Sequence, residues 1–372
     1  MFLALLELRA ARGRFLLMGS VVVLVAALVG VVSGFTTGLG DDTVSALRQL
    51  PATHLAFAAD AKSDQFARSL LPATALKSWQ EADDVDATPL GVSITRGTTD
   101  RGVDVDLAAF GVEPGQFLDP GATTGHPLRA TGAGIVISQQ LHDTGVRVGD
   151  TLTIDRVGIR LQVLGTTDCS SYGHVPVAYL PLDVWRQIRF TMPGAAPDAR
   201  TTLPNEYSAI ALKAGSDADL AAADRTLGTH TLPVRDAYAA APGYSGERVT
   251  MTSIQAFLYV IAPLVVGAFF AVWTVQRRPE LALLRAMGAS RRRLLGHTLA
   301  QAAVVVATGT VVGAALAAGV GALVGSEVPF SLPASVLMTT MATVILVGLA
   351  GAAITLRKIA TVDPMTLLGA AR

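Results

Sequence analysis

The run FLLMGSVVVLVAALVGVVSGFTTGL, residues 15–39, contains no charged side chain. An α-helix rises about 1.5 Å per residue, so roughly 20 apolar residues cross a hydrocarbon core of about 30 Å. Three further runs, 254–275, 294–324 and 332–356, meet the same requirement. The first run is longer than the apolar segment of a signal peptide and lacks a good small-residue cleavage site. The sequence therefore predicts four transmembrane helices, the first of them a retained anchor.

The composition agrees with a membrane protein. Of 372 residues, 51% are hydrophobic and only 16% are charged, whereas roughly a quarter of residues are charged in soluble globular domains. Such an apolar chain is not intrinsically disordered. Its single cysteine excludes a disulfide scaffold and a CxxC zinc or redox site.

Charge is distributed unevenly along the chain. Basic residues predominate before the first apolar run, between the second and third, and after the fourth, whereas acidic residues predominate in 41–250. Cytoplasmic loops of membrane proteins carry the excess of Lys and Arg. We therefore expect both termini (1–14 and 357–372) and the loop 276–293 in the cytoplasm. Residues 40–250 would then form an extracellular domain on a multi-pass protein of the plasma membrane.

The segment 40–250 has the patterns of a folded α+β domain. Alternating stretches predict strands at 134–138, 151–156, 159–166 and 175–180, and helical patterns occupy 41–50, 60–71 and 217–227. Asp41 is a plausible N-cap for a helix that begins as the chain leaves the membrane. The predicted fold class is thus α-helical with four transmembrane helices, plus an extracellular α+β domain with a small mixed sheet inserted between the first and second.

Motifs of catalysis are missing from the sequence. It has no GxxxxGK[ST] phosphate loop and no HExxH, GxSxG or EF-hand pattern. The chain is accordingly predicted to be a non-enzyme without an intrinsic cofactor and without a nucleic-acid partner. Cys169 has no histidine or asparagine arrangement suited to a nucleophile. His174, in the loop sequence Ser-Tyr-Gly-His-Val-Pro, is either satisfied by local hydrogen bonds or a ligand.

Small residues recur every four positions on two of the apolar runs. Gly30, Gly34 and Gly38 follow this spacing on the first run, and 309–325 repeats it on the third. Small residues at this spacing let two helices approach closely in lipid. For the third run we expect contacts within one subunit, through a hairpin with the fourth. For the first run a homodimer seam and packing within the subunit remain alternatives.

The cytoplasmic loop predicts a short amphipathic helix. Leu281, Leu284 and Met287 fall on one helical face, and Gly288 ends the pattern. One interpretation is that its arginines only bind lipid headgroups.

The same loop also carries a resemblance to a known family. ELALLRAMGASRRRL (280–294) resembles the coupling helix of FtsX-like, macrolide-exporter-type ABC permeases. GAGIVISQQLHDTGVRVGDTLTI (132–154), ATVDPMTLLGA (360–370) and the amphipathic N-terminal elbow (1–14) are also similar to that family. The resemblance covers essentially the whole chain.

This resemblance implies a division of labour between subunits. Two copies of the permease, a homodimer, would bind two copies of a separate ABC ATPase that holds the ATP and Mg²⁺. In this mechanotransmission class, ATP-driven motion of the coupling helices rocks the transmembrane helices, and substrate does not pass through a channel. By position in the motif, the ATPase contact is formed by Leu284, Arg285, Ala286, Met287, Gly288, Ala289 and Ser290.

Shorter stretches are similar to the haem-efflux permeases of Gram-positive bacteria. They are VSGFTTGLG (32–40), SYGHVPV (171–177) and PGYSGE (242–247). This implies haem as the transported ligand and detoxification as the role. Export of a peptide, an antibiotic or a lipid is the alternative for the same machine. A non-transporting FtsX-like relay to an extracellular cell-wall hydrolase is an alternative of another class, and the direction of transport is open.

Candidate haem ligands follow from the chemistry of iron, which takes axial His, Tyr, Met or Cys. Met251, Gln255 and Tyr259 lie four residues apart, on one face of the second helix near its outer end. Tyr259 is equally explained as a membrane-interface or packing aromatic, and Met251 as an ordinary apolar residue. The exposed-side candidates for closing over the ligand or joining helix to domain are Tyr172, His174, Tyr244 and Glu247.

Overall fold

The computed structural model of the protein describes residues 12–61, 65–129, 132–193, 203–276, 290–324 and 328–360. The helices in these ranges are α1 (Arg12–Gln49), α2 (Gln65–Arg68), α3 (Ala73–Gln80), α4 (Gln139–Asp143), α5 (Leu182–Phe190), α6 (Leu220–Leu227), α7 (Tyr244–Gln276), α8 (Arg291–Leu323) and α9 (Ala334–Ala360). The predicted elbow (apart from 12–14), coupling helix and C-terminal tail (apart from 357–360) lie outside the described residues.

The chain divides into two compact units, one formed by residues 1–39 with 248–372 and one by residues 40–247. The first unit holds most of α1 and α7 and the whole of α8 and α9. All four are long and apolar enough to span a membrane. The prediction of four transmembrane helices with a domain inserted between the first and second is therefore confirmed.

The end of α1 differs from its prediction. Asp41 was expected to cap a new helix, but it lies inside α1, which continues without interruption to Gln49. Residues 41–49 contain no proline or glycine, and Val44 and Leu47 are fully buried. Because these two side chains pack into the core of the second unit, the helix continues through Gly38 and Gly40.

The second unit is built on a mixed sheet. The strands of this unit are β1 (His54–Ala58), β2 (Leu71–Pro72), β3 (Val85–Thr99), β4 (Asp104–Val112), β5 (Thr124–Gly125), β6 (Gly134–Ser138), β7 (Thr151–Ile154), β8 (Ile159–Thr167), β9 (Ser171–Tyr172), β10 (Val175–Pro181), β11 (Glu206–Tyr207), β12 (Ala209–Ala214) and β13 (Thr229–Pro233). Strands β2 and β11 pair with each other in a separate two-stranded sheet. The main path runs β13-β1-β12-β3-β4-β10-β6-β8-β5, with β7 and β9 paired at its sides. The parallel pairs are β4 with β10 and β6 with β8.

The expectation of a mixed sheet is met, but not that of a small one. Among the described residues the sheet contains 11 strands. The sequence pattern missed the long pair β3 and β4, because their inner halves are buried on both faces and so show no alternation.

Two hydrophobic cores cover the two faces of this sheet. One packs α3 and α5 through the fully buried Trp79 and Trp185. There Gly91 and Gly111 are cross-strand neighbours, and a Cβ on either would lie within 2.4 Å of Trp185. The other core includes Val44 and Leu47 of α1. The end of α1 is therefore an integral part of the inserted domain's core.

Candidate functional site

The predicted ligand face of α7 lies partly against the other membrane helices. Met251, Gln255 and Tyr259 are all half-buried. Tyr259 packs against a cluster that includes Val29 of α1 and Met341 of α9. The neighbouring positions on the opposite side of α7, such as Phe257 and Val260, are exposed to the surroundings of the unit. The three predicted residues thus share one inward-facing side of the helix.

Gln255 takes part in a polar contact between three membrane helices. Its Nε2 donates to Ser33 Oγ of α1 at 3.4 Å, and Thr340 Oγ1 of α9 lies 3.4 Å from the same oxygen. Ser33 is 1% and Thr340 6% exposed. Polar side chains inside a membrane are costly unless they find partners, so they face the bundle interior.

Sequence reasoning identified Gln255 but missed Ser33 and Thr340. The available signal was a hydroxyl inside an apolar run, which is weak. Other hydroxyls in the same helices, such as Thr36 and Thr37, bond to carbonyls of their own helix four residues back. Only the packing of the helices distinguishes a hydroxyl that bridges from one that does not.

A proline lies inside α7 one turn beyond Tyr259. Pro263 has no N–H, so it cannot donate to the carbonyl of Tyr259 four residues earlier. Gly351 of α9 approaches closely at this point, since a Cβ there would lie 2.6 Å from the Pro263 carbonyl oxygen. The ring and the backbone of Tyr259 therefore sit at a locally weakened turn of the helix.

The glycines of α1 contact parts of the same subunit. A Cβ on Gly30 would lie 2.7 Å from Ala317 Cβ of α8, and one on Gly38 would lie 2.4 Å from the Pro329 carbonyl oxygen. The ring of Phe330 fills the space beside Gly34, and Ser331 N donates to the Gly34 carbonyl at 3.1 Å. The structure thus places these glycines in packing within the subunit.

The glycines of α8 make contacts within the subunit, as predicted, and α8 also packs against α9 as the expected hairpin. A Cβ on Gly309 would lie 2.8 Å from Val22, and one on Gly313 would lie 2.6 Å from Ala26. Both partners belong to α1 and not to α9. Helix α8 therefore uses its small residues to approach α1.

A groove of about 760 Å³ lies between α1 and α8 at the end of α1 remote from Ser33. Its walls are apolar apart from Ser20 and Thr308, whose hydroxyls donate to carbonyls of their own helices. The described residues that line it include no His, Tyr, Met or Cys side chain, so they offer no ligand for iron.

The exposed-side candidates differ in how accessible their side chains are to a ligand. Tyr172 was expected to be accessible, but it is 2% exposed and packs edge-on against Phe66 and Phe110. The reason is that β9 turns its aromatic side chain into the core. Tyr244 remains half-buried, edge-on to Tyr238 at 6.1 Å.

His174 and Glu247 are already engaged with each other. His174 Nε2 lies 2.7 Å from Glu247 Oε1, and His174 Nδ1 lies 3.0 Å from Asp42 Oδ2. With both ring nitrogens occupied, His174 has no free nitrogen for iron. Both residues belong to the second unit, where the contact links the first turn of α7 to the turn before β10.

Most of the predicted ATPase contact lies outside the described residues, and the one cysteine has an unreactive thiol. Residues 284–289 of the predicted ATPase contact lie outside the described residues, and Ser290 is exposed just before α8. Burial, together with the charges of Asp143 and Asp168, raises the pKa of the exposed Cys169 thiol, which disfavours the reactive thiolate. No group of His, Cys, Asp and Glu within the described ranges is arranged to hold a metal ion.

Two protein families match this chain in sequence. Residues 15–229 match the MacB-like periplasmic core domain, and residues 252–364 match the FtsX-like permease C-terminal domain. Together the two matches include α1, most of the inserted domain and the three later membrane helices.

Two relatives that match along almost the whole chain are named as transport permeases. The chain is 23% identical over 369 residues, 99% of both proteins, to the putative hemin transport system permease protein HrtB of Staphylococcus haemolyticus. It is also 23% identical, over the same shares, to the protein of that name from Staphylococcus epidermidis. An uncharacterized ABC transporter permease of Mycobacterium bovis is 28% identical over 119 residues, 32% of this chain and 34% of that protein.

Two solved structures are similar to about half of the chain. The periplasmic region of MacB from Actinobacillus actinomycetemcomitans is 13% identical with a TM-score of 0.36, covering 50% of this chain and 91% of that one. The extracellular domain of the transporter YknZ is 13% identical with a TM-score of 0.35, covering 47% of this chain and 92% of that one.

Proposed function

Because the chain belongs to the family of FtsX-like ABC transporter permeases with a MacB-like outer domain, we propose that it is the permease subunit of a haem exporter. The observation that carries the proposal is the face of α7 that Met251, Gln255 and Tyr259 share, on which Gln255 contacts Ser33 and Tyr259 packs against α1 and α9. The similarity along 99% of the chain to permeases named for hemin transport supports the same substrate.

The chemistry of haem suits a site at this depth. A porphyrin is amphipathic and partitions into lipid, so it reaches a membrane helix from the outer leaflet. A tyrosine oxygen or a methionine thioether can serve as an axial ligand of haem iron. Tyr259 offers the first and Met251 the second, and the amide of Gln255 lies between them as a hydrogen-bonding group. Haem is cargo in this proposal and not a resident cofactor.

The driving force comes from another protein. Two copies of the permease associate with two copies of an ABC ATPase, which binds ATP and Mg²⁺ on the cytoplasmic side. The positive charge of the loop 276–293 and of both termini supports this orientation. Closure of the ATPase dimer moves the coupling segments, and the motion reaches the ligand face through α7. Bending α7 at Pro263 breaks one backbone hydrogen bond fewer than bending it elsewhere, because proline has no N–H to donate.

The purified chain alone is expected to bind and hydrolyse no ATP, because it has no phosphate-binding loop. The measurement is phosphate release by protein freed of any ATPase, with the reconstituted permease–ATPase complex as the positive control. Turnover that stays with the permease through successive purification steps would contradict the division of labour.

Tyr259→Phe and Met251→Leu are expected to change haem binding and leave the fold intact. The first keeps the aromatic ring and removes the oxygen, and the second keeps the apolar volume and removes the sulfur. Whichever group ligates the iron, its loss shifts the visible absorption spectrum of bound haem and weakens binding by about 10-fold or more, which equals about 1.4 kcal/mol. Titration of haem into the purified complex measures both quantities.

Tyr238→Phe is the matched control, since it removes a phenol oxygen from the inserted domain outside the ligand face. Wild-type spectra and affinities in both α7 variants would place the ligand site elsewhere. Stimulation of the ATPase by haem, and not by peptides, antibiotics or lipids, distinguishes the proposed substrate from its alternatives. A protein that relays motion to a cell-wall hydrolase would show no haem stimulation.

A further inference from the structure

The turn between β9 and β10 has an unusual backbone. Gly173 and His174 both have positive φ, 59° and 66°. Two consecutive left-handed residues form the tight turn that matches the twist of a two-stranded hairpin. Glycine adopts this conformation freely, whereas a histidine there is uncommon. His174 therefore has a backbone conformation that residues other than glycine seldom adopt.

This turn is fastened to the end of α1 by its backbone. Gly173 N donates to the Thr43 carbonyl at 2.9 Å, and His174 N donates to the Asp42 carbonyl at 3.3 Å. Ser171 N donates to Ser45 Oγ at 2.8 Å. Three successive contacts along one side of α1 leave the hairpin little freedom, so His174 keeps its position beside that helix.

The imidazole joins two carboxylates from different helices. Asp42 belongs to α1 and Glu247 to the first turn of α7, and each accepts from one ring nitrogen of His174. Glu247 is also held by Thr43 Oγ1, which donates to its Oε2 at 3.1 Å. A neutral imidazole has one N–H donor, and only the imidazolium has two. Both contacts are hydrogen bonds only when His174 is protonated.

The surroundings favour the protonated form. Partial burial lowers the pKa of His174, but the hydrogen bonds to Glu247 and Asp42 and the negative charges of both carboxylates together outweigh it, so the pKa is raised. Asp42 and Glu247 are the charged groups that face the ring from α1 and α7. The next acidic group on α1, Asp41, is paired with Arg48. The hairpin itself places no charged side chain between residues 171 and 177 apart from His174.

We propose that His174 is a protonation-dependent clasp that holds the outer ends of α1 and α7 together through Asp42 and Glu247, and that deprotonation releases it. A histidine whose folded pKa is raised contributes stability that is complete below its ordinary pKa, about 6.5. That contribution is lost as the pH rises through the folded pKa. The clasp is therefore closed at acidic pH and opens toward alkaline pH, when one carboxylate faces a lone pair of the ring.

Deprotonation weakens the link between the two helix ends, because the neutral ring has one N–H and keeps at most one of its two hydrogen bonds to Asp42 and Glu247. The hydrogen bond from Thr43 to Glu247 does not depend on this proton. The clasp makes the response of the permease dependent on the external pH. This inference depends on contacts within the inserted domain and is independent of the transported substrate.

The test measures the separation of the two helix ends in the full-length chain. Spin labels are attached at Gln49→Cys in α1 and Ser245→Cys in α7, both exposed positions, in a Cys169→Ser background that removes the native thiol. Pulsed electron resonance in lipid nanodiscs then gives the distance distribution at about pH 6 and about pH 9, on either side of the expected transition. We expect a narrow distribution at the lower pH and a longer or broader one at the higher pH.

His174→Asn removes the titrating ring, and asparagine tolerates the left-handed backbone. It should give the open distribution at both pH values. His126→Asn, at an exposed histidine, should behave like the parent. If the His174 variant does not fold, Glu247→Gln keeps the side-chain size and should lower the transition pH. A parent distribution that is the same at both pH values, or a His174→Asn protein that switches like the parent, would overturn the clasp.

Discussion

Met287→Asp is expected to abolish substrate-stimulated ATP hydrolysis while leaving the permease folded. Met287 lies in the cytoplasmic stretch ELALLRAMGASRRRL, on the same predicted face as Leu281 and Leu284. Its proposed place in a groove of the ATPase removes it from water. An ionised carboxylate buried without a partner costs several kcal/mol, and about 3 kcal/mol already lowers an affinity more than about 100-fold. Co-purification of the ATPase from detergent and stimulated turnover measure the loss.

The control for this variant is Met287→Leu, which keeps an apolar side chain of similar size. It should retain most of the assembly and turnover. If Met287→Asp assembles with the ATPase and turns over like the parent, the contact lies elsewhere on the loop. Arg285, next to this face, would then be the first residue to replace, because its contact would depend on charge instead of burial.

Gly38→Leu is expected to destabilise the outer half of the membrane bundle by a few kcal/mol. The Cβ of any residue at 38 would lie 2.4 Å from the Pro329 carbonyl oxygen and 2.7 Å from the Phe330 Cα. These are backbone atoms, so no side-chain rotation relieves the overlap. Overpacking of this kind typically costs about 1–3 kcal/mol, and it would also displace the Phe330 ring from Gly34. The measurement is thermal unfolding in detergent, followed by the loss of monodisperse protein.

Gly319→Leu provides the comparison, since it makes the same change on α8 with nothing within 4 Å of the added Cβ. It should unfold at the parent temperature or above, because leucine favours a helix more than glycine does. Equal unfolding temperatures of the two variants would show that the packing of residues 329–331 against α1 does not contribute to stability.

Helix α7 brings together the features on which the proposed activity depends. Glu247 closes the clasp at its outer end, Gln255 reaches Ser33 across the bundle, and Pro263 weakens the helix below Tyr259. A substitution in α7 is therefore expected to affect ligand binding and helix motion together. Separate measurements of haem affinity and ATPase stimulation are needed to tell the two effects apart.

The sequence alone determined the number and approximate bounds of the membrane helices, because roughly 20 consecutive apolar residues satisfy a requirement set by the bilayer. It also located the strands β6, β8 and β10 closely, since each is a short alternating stretch bounded by turn residues. Local motifs also identified the family, and the matches over 15–229 and 252–364 confirm it. Each of these properties depends on a pattern in consecutive residues.

Tertiary structure decided which residues meet. Nothing local to Ser33, Thr340 or Gln255 shows that their side chains share a contact, because they lie on three different helices. Tyr172 and His174 are two positions apart, yet one is buried among aromatic rings and the other bridges two carboxylates. Strict strand alternation would place positions 172 and 174 on the same face. The left-handed turn at Gly173 and His174 breaks that alternation, and the packed sheet and the end of α1 decide what each side chain contacts. Contacts between distant parts of the chain depend on how its elements pack, and a pattern in neighbouring residues does not contain that information.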